Sequence, residues 1–228
     1  MLAPRLLPRV AAPKLSEFLA RQHAANKVRI ICGVNVVAID DSCVVRETQL
    51  ARGALIECQD RIVVDRSART SDARIGAVGD CARHANDLLG RPLRLETVHN
   101  ALEQAKVAAR AVCGESTTYR QAPWVWSDQY AFRLQIVGLI DGYDRHVVRG
   151  DPASGRFSVA YFQGDRFLAL QAVNRPAEFA AARRILNGGV ALSVNQAADP
   201  AFDPAGMARP QRRLQFSQPW TKRVRAAL

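Results

Sequence analysis

Two short stretches of the 228-residue sequence contain residue types suited to holding a polar ligand. In the first, Gly79 lets backbone approach a partner closely, and Asp80 supplies a carboxylate that can accept hydrogen bonds from hydroxyl groups. In the second, Thr97 and Val98 begin a stretch with helical periodicity, and the free N–H groups at a helix start favour electron-rich partners. The pattern predicts a site for a polar, partly anionic ligand. A turn aspartate that only caps the chain is the open alternative.

A strand and a helix are expected to position these residues. Residues 75–78 are predicted to form a short apolar strand that ends at Gly79. A helix is predicted to begin near Thr97 and to end near residues 113–114, because apolar side chains recur at helical spacing: Val98, Ala101, Leu102, Ala105, Ala108, Ala109 and Val112.

The same stretches contain an ordered set of motifs: Thr70-Ser71-Asp72, Gly79-Asp80-Cys81-Ala82, Leu95-Glu96-Thr97-Val98, Asn100-Ala101, Glu103-Gln104-Ala105 and Trp124-Val125-Trp126-Ser127-Asp128-Gln129. Over roughly residues 5–205 the chain therefore resembles the C-terminal portion of the FAD-dependent NAD(P)H:ferredoxin reductases, within the pyridine nucleotide-disulfide oxidoreductase superfamily. The Gly-Asp pair alone is a weak signal, whereas the order and spacing of the whole set are specific.

The resemblance implies roles for five residues at a cofactor site. Asp80, next to Gly79, would bond the ribityl chain of FAD. Val98, after Thr97 at the helix start, would place its backbone N–H at the pyrimidine end of the flavin, and Trp126 would lie at the flavin edge near a docked ferredoxin. Packing between domains is the alternative for Trp126. The resemblance implies no catalytic acid or base, and His99 is interpreted as a polar helix residue.

The sequence departs from the family pattern in its nucleotide-binding motifs. None of its fourteen glycines forms a G-x-G-x-x-G motif, the fingerprint with which a βαβ unit binds a pyrophosphate. The segment between residues 40 and 50 is also shorter than in the family. We therefore expect a truncated form that binds FAD weakly or not at all by itself.

The predicted fold class is α/β followed by α+β. Residues 1–65 would be a remnant of the NAD(P)-binding domain, with a helix at residues 15–25 and strands at residues 28–32 and 34–39. Residues 66–121 would be the C-terminal part of the FAD-binding domain. Residues 122–205 would form a compact reductase C-terminal domain with three or four antiparallel strands and a closing helix. Its strands are predicted at residues 132–140, 145–149, 156–162 and 167–173, with a turn at residues 163–165 and a helix from Pro176 to about Leu186. The chain is expected to be disordered beyond residue 203, and residues 206–228 would be a basic tail.

The net charge of +11 lies at the two ends of the chain. Residues 1–31 contribute +5 and residues 206–228 contribute +6, so the segment between them is neutral. A solvated terminus is favoured over nucleic-acid binding. No apolar run reaches membrane-spanning length, and the five cysteines show no paired spacing for a metal site or a redox dithiol, so a cytoplasmic protein without a metal is expected.

The resemblance implies an enzyme that passes electrons from NAD(P)H through FAD to a [2Fe-2S] ferredoxin serving a cytochrome P450 or a ring-hydroxylating dioxygenase. Arg83, Arg94 and Arg133 lie near the motifs and are candidates for contact with an acidic ferredoxin. A complementing N-terminal polypeptide or a homodimer is a further expected partner. The alternative function is a non-enzymatic remnant that mediates interaction or dimerisation.

Overall fold

The computed structural model describes residues 5–8, 10–30, 32, 49–86 and 90–207. Its first part contains α1 (Pro13–Ala25), α2 (Gln49–Gly53), β1 (Ile62–Val64), a 3-10 turn at Gly79–Cys81, β2 (Ala82–Asn86), β3 (Arg91–Leu93) and α3 (Val98–Val112). Its second part contains β4 (Trp124–Gln129), β5 (Phe132–Gly138), β6 (Arg145–Asp151), β7 (Arg156–Gln163), β8 (Arg166–Val173), α4 (Pro176–Gly188), α5 (Val194–Ala198) and α6 (Pro204–Met207). Within these residues no helix has both the length and the apolar character that crossing a membrane requires.

A small three-stranded sheet, in the order β1-β2-β3, underlies the Gly-Asp turn. β1 and β2 run parallel, with Ile62 opposite Ala82, whereas β3 returns antiparallel to β2. Because β2 begins directly after the 3-10 turn, its pairing with β1 fixes where the turn lies. The core beneath this sheet is small and consists of Val64, Ala77 and Ala82.

A five-stranded sheet forms the second layer, in the order β4-β5-β8-β7-β6 with every neighbouring pair antiparallel. β7 and β8 form a hairpin whose turn is Gly164-Asp165. Both faces of these two strands are buried, which explains their nearly continuous apolar sequence.

Helices cover both faces of the five-stranded sheet. α1 packs on one face, where Leu15, Phe18 and Leu19 join a cluster of buried strand residues. Gln171 of β8 fixes this helix start by accepting a hydrogen bond from the Ala12 N–H at 3.1 Å. α4 packs on the opposite face, through Phe179, Ala182 and Ile185, against Val137, Ala160, Phe162, Phe167, Leu170 and Ala172. The five-stranded sheet is therefore the middle layer between helices from distant parts of the chain.

This mixed α/β fold with an antiparallel sheet confirms the predicted fold class. The predicted helices at α1, α3 and α4 are confirmed, as are the strands β5 to β8 and the turn at residues 163–165. α4 begins with Pro176 at its first position and ends at Gly189, whose φ is +65°. The predicted number of strands was too low, because Trp124–Gln129 forms a fifth strand.

The predicted strand at residues 75–78 was wrong. Val78 is extended, but this segment forms only an isolated bridge, between Gly76 and Arg69, because β2 pairs with β1 instead. Residues 28–30 also form no strand, and the strand predicted at 34–39 lies outside the described residues. The expectation of disorder beyond residue 203 was wrong for Pro204–Met207, which is helical, while residues 208–228 lie outside the described part. The four-part division of the chain stays a prediction.

Candidate functional site

The Gly79-Asp80 turn is attached to the middle of α3. Gly79 has φ +76°, and a Cβ there would approach the Ala101 Cβ to 3.3 Å, so glycine suits both the backbone and the close packing. The N–H of Gly79 donates a hydrogen bond to the Gln104 Oε1 at 2.7 Å. With its backbone held in this way, the exposed side chain of Asp80 is available to a ligand.

At the N-terminus of α3 one backbone N–H group is capped by a side chain, and others have no partner within the helix. Thr97 is the N-cap, and its hydroxyl oxygen accepts a hydrogen bond from the Asn100 N–H at 3.1 Å. By helix geometry, the N–H groups of Val98 and His99 have no carbonyl partner within the helix. Val98 is 58% exposed. This end of α3 therefore offers N–H donors beside an apolar surface.

Gln104 and Asn100 support the candidate site, and the sequence reasoning did not single them out as site residues. Both side chains are fully buried, and they lie four residues apart on the face of α3 that turns inward. Gln104 holds Gly79, and the Nδ2 of Asn100 donates to the Leu95 carbonyl at 2.9 Å, which orders the approach to the cap. The signal for them was present as two amide residues at helical spacing within the Glu103-Gln104-Ala105 and Asn100-Ala101 motifs.

A row of aromatic rings joins β4 to the first turn of α3. The Trp124 ring lies 5.3 Å from the Trp126 ring and 5.2 Å from the His99 ring, measured between centroids. On its other sides Trp124 contacts Phe179 at 5.5 Å and the guanidinium of Arg183 at 5.3 Å. Trp126 is 43% exposed. An exposed indole is thus held, through Trp124, on the same side of the molecule as the helix start.

The predicted cofactor residues consequently fall into two connected groups. The structure brings the Gly79-Asp80 turn together with α3, and it brings Trp126 together with the first turn of α3 through Trp124 and His99. The roles assigned to Gly79, Asp80, Thr97, Val98 and Trp126 stay predictions.

The three arginines considered for partner binding all form ion pairs within the chain. Arg83 and Arg94 both contact Asp60, at 3.0 and 3.4 Å. Arg133 contacts Asp128 at 3.1 Å. Partial burial raises the pKa of Asp60, but the hydrogen bond from Arg83 and the charges of both arginines outweigh it, so the net pKa is lowered. Asp60 therefore stays ionised and neutralises part of this positive charge.

Two buried histidines near α3 are held in their neutral form. Burial lowers the pKa of His84 to about 4. Burial also lowers the pKa of His99, and the positive charge of Arg183 lowers it further. His99 was interpreted from the sequence as a polar helix residue, and in the structure its neutral, buried ring packs against Trp124.

Cysteines and other metal-ligating residues form no site in the described part of the chain. No group of three or more His, Cys, Asp or Glu side chains converges there. Cys32, Cys58, Cys81 and Cys113 form no disulfide within the described residues, and Cys43 lies outside them.

Known proteins resemble this chain in sequence and in fold. A family model for the reductase C-terminal domain matches residues 124–207. Putidaredoxin reductase of Pseudomonas putida is 39% identical over an alignment that covers 86% of this chain and 53% of the relative. The chain is similar to the C-terminal portion of ferredoxin reductases. Two crystal structures agree: the ferredoxin reductase for the CYP199A2 system from Rhodopseudomonas palustris, with 32% identity and a TM-score of 0.83, and a covalent putidaredoxin reductase–putidaredoxin complex, with 36% identity and a TM-score of 0.81.

The alignments cover most of this chain but only part of each relative. The two structures match over 91% and 90% of this chain, and over 57% and 55% of the solved chains. The chain thus spans about half the length of these relatives and resembles their C-terminal portion. Members of the ferredoxin reductase family are FAD-dependent oxidoreductases linked to NAD(P)H.

Proposed function

We propose that this chain forms the flavin-contacting and ferredoxin-facing portion of a ferredoxin–NAD(P)⁺ reductase. The reaction would carry electrons from NAD(P)H through FAD to a [2Fe-2S] ferredoxin, which serves a cytochrome P450 or a ring-hydroxylating dioxygenase. The observation that carries the proposal is the attachment of the Gly79-Asp80 turn to α3, whose open N-terminus lies beside the Trp126 row. A reaction between soluble partners of this kind belongs in the cytoplasm.

The residues present fit the flavin end of FAD. A Cβ at Gly79 would crowd Ala101, so the turn keeps its close approach to α3 only with glycine. The exposed carboxylate of Asp80 can accept hydrogen bonds from the hydroxyl groups of a ribityl chain. The exposed apolar side chain of Val98 suits contact with a ring, and the N–H groups beside it can donate to ring acceptors. When bound, FAD supplies the exchange between a two-electron donor and a one-electron acceptor.

The chain's own contribution would be placement and electrostatics. The partial positive charge at the α3 N-terminus favours negative charge on a ligand held there. Thr97 fixes the direction of this terminus by accepting from the Asn100 N–H. Trp126 would cover one edge of the site, where its exposed indole is also open to a partner protein.

This chain by itself would hold FAD weakly. Its sequence contains no G-x-G-x-x-G motif to bind the pyrophosphate of FAD. The chain would therefore contact FAD only at the flavin end. We therefore include a complementing polypeptide that carries such a motif as a requirement for full activity. A second copy of this chain stays a proposed partner, but it would not supply the motif.

An acidic ferredoxin would dock close to Trp126. Arg133 is 64% exposed and is paired with the exposed Asp128, so it can exchange that partner for a carboxylate of the ferredoxin. Arg83 and Arg94 are 29% and 25% exposed and share Asp60, so their contribution would be long-range attraction.

A titration with FAD tests the proposal. The 228-residue chain is titrated with FAD while flavin fluorescence is followed, and its visible spectrum is then recorded after desalting. We expect saturable but weak binding, with most of the flavin lost on desalting. Asp80→Ala should abolish the binding, whereas Asp72→Ala, at a half-buried carboxylate paired with Arg74, should leave it unchanged.

Two results would contradict parts of the proposal. If the chain shows no saturable FAD binding, or if Asp80→Ala binds as the wild type does, the flavin-contacting assignment fails. If the chain alone retains FAD and reduces a ferredoxin with NADH, the requirement for a second component fails.

A further inference from the structure

Arg61, immediately before β1, contacts both sides of the proposed cofactor site. Its Nε–H donates a hydrogen bond to the carbonyl oxygen of Asp80 at 3.0 Å. Its Nη2 lies 3.2 Å from the Glu96 Oε1, and Glu96 directly precedes the Thr97 cap of α3. One side chain therefore connects the Gly-Asp turn to the start of the helix.

The fold places Arg61 at this position through strand register. Ile62 is opposite Ala82 in the parallel pair of β1 and β2, so the residue before Ile62 lies alongside the 3-10 turn. The Arg61 Nη1 also donates to the Asp60 carbonyl at 2.8 Å, which fixes the guanidinium against its own backbone. Three nitrogens of one planar group thus have three separate acceptors.

The surrounding charges form a network of alternating sign. Glu96 also contacts Arg94 at 3.3 Å, and Asp60 contacts both Arg94 and Arg83. The side chains of Arg61 and Glu96 are 28% and 29% exposed, which is well below the exposure of an isolated surface pair. A lysine at position 61 could reach one acceptor but could not span all of them, because its ammonium is a single point of charge.

We propose that Arg61 is a positioning residue of the cofactor site, which sets the separation between Asp80 and the N-terminus of α3. This inference rests on the proposed function, since it assigns Arg61 to the same site. Arg61 itself contacts the backbone oxygen of Asp80 and the carboxylate of Glu96, and it acts on a ligand only through them.

Loss of Arg61 should weaken FAD binding more than it lowers the stability of the fold. The Arg61–Glu96 pair is only partly buried and keeps access to solvent, so loss of Arg61 should change the unfolding midpoint only slightly. A site formed from two segments is sensitive to their separation, so the affinity for FAD should fall much more. This difference separates a positioning role from a structural one.

The test combines two measurements on the full chain, for the wild type, Arg61→Ala, Arg61→Lys and the matched control Arg74→Ala. Arg74 also pairs with a carboxylate, that of Asp72, and its side chain is 88% exposed. Amide hydrogen exchange without ligand reports the order of the first turn of α3 and of residues 79–81. Titration with FAD, followed by flavin fluorescence and by the shape of the visible absorption band, reports the site.

We expect Arg61→Ala to speed exchange in both segments and to weaken FAD binding by about tenfold, the loss typical of one charge-assisted hydrogen bond. Arg61→Lys should restore part of the affinity, and Arg74→Ala should stay within about twofold of the wild type. If Arg61→Ala leaves exchange unchanged, the connection between the two segments is refuted. If exchange rises but the FAD affinity stays at the wild-type value, the positioning role is refuted. A wild-type chain that binds no FAD, but whose exchange still depends on Arg61, would overturn the proposed function and support the connection.

Discussion

Replacement of Phe18 by alanine tests whether α1 and the five-stranded sheet form one cooperative unit. Phe18 is 2% exposed and packs edge-on against Phe132 at 5.1 Å and Phe157 at 5.2 Å, measured between ring centroids. The family match begins at residue 124, far beyond α1 in the sequence. If Phe18 contributes to the free energy of unfolding as its burial indicates, Phe18→Ala should destabilise the sheet as well as the helix.

The expected loss is large. Truncation of a fully buried phenylalanine to alanine costs about 3–5 kcal/mol in the free energy of unfolding. The two edge-to-face ring pairs of Phe18 account for about 1–3 kcal/mol of that loss. In a domain of this size, each kcal/mol lost from the free energy of unfolding lowers the thermal midpoint by about 2–4 °C. The thermal midpoint should therefore fall by roughly 6–20 °C.

Thermal and urea unfolding followed by two signals provide the assay. Far-ultraviolet circular dichroism reports the helices. Tryptophan fluorescence reports the sheet in chains that also carry Trp220→Phe, since the other two tryptophans, Trp124 and Trp126, lie on β4. Both transitions should move together. Glu17→Ala, at an exposed position on α1, is the matched control and should change the free energy of unfolding by less than about 0.5 kcal/mol. If Phe18→Ala lowers helical signal while the fluorescence transition keeps its wild-type midpoint, α1 is not part of the cooperative unit.

Three further substitutions have expected effects of defined sign. Gly138→Ala should cost about 3 kcal/mol or more, because φ is +82° and the new Cβ would lie 2.1 Å from a carbonyl oxygen of the adjacent strand. Glu178→Gln should cost about 3 kcal/mol, because it leaves the largely buried guanidinium of Arg149 without its carboxylate partner. His84 is buried with a pKa near 4, below its ordinary 6.5, so the unfolded chain takes up a proton first and stability falls as the pH drops from 6.5 towards 4. His84→Gln should remove up to about 3 kcal/mol of that pH dependence.

Urea unfolding checks all three substitutions, the last one at a series of pH values. Gly188→Ala is the control for Gly138, since its new Cβ would meet nothing closer than 3.7 Å, and it should be neutral or stabilising. An unaltered midpoint for Gly138→Ala or Glu178→Gln would refute the corresponding contact. A pH profile for His84→Gln that matches the wild type would show that other groups cause the acid sensitivity.

Prediction from the sequence succeeded where the determinants are local. The start of α3 followed from Thr97 and the apolar spacing after it, and the ends of α4 followed from Pro176 and the glycines near residue 189. The strand at residues 75–78 failed because an apolar run does not reveal whether a neighbour offers continuous pairing. In the fold, Gly76 finds only an isolated bridge.

The site could be predicted as a set of motifs but not as a set of contacts. The Gly79-Asp80 pair and the helix start are short patterns, and the structure brings both to α3. The shared partner of Arg83 and Arg94 could not be predicted, because Asp60 is 23 residues from Arg83 and 34 residues from Arg94 along the chain. Which residues pair across such separations depends on strand register, and the local periodicity of the sequence does not predict that register.

The position of Trp126 depends on helices that lie outside the candidate site. Trp124 contacts His99 in the first turn of α3, and on its opposite side it contacts Arg183 and Phe179 of α4. Trp126 is held by this same ring, so its position depends on α4 as well as on β4. Because α4 packs on one face of the sheet and α1 on the other, changes at either face can be transmitted to the exposed indole through closely packed side chains. The five-stranded sheet is therefore best understood as the support that aligns Trp126 with the start of α3.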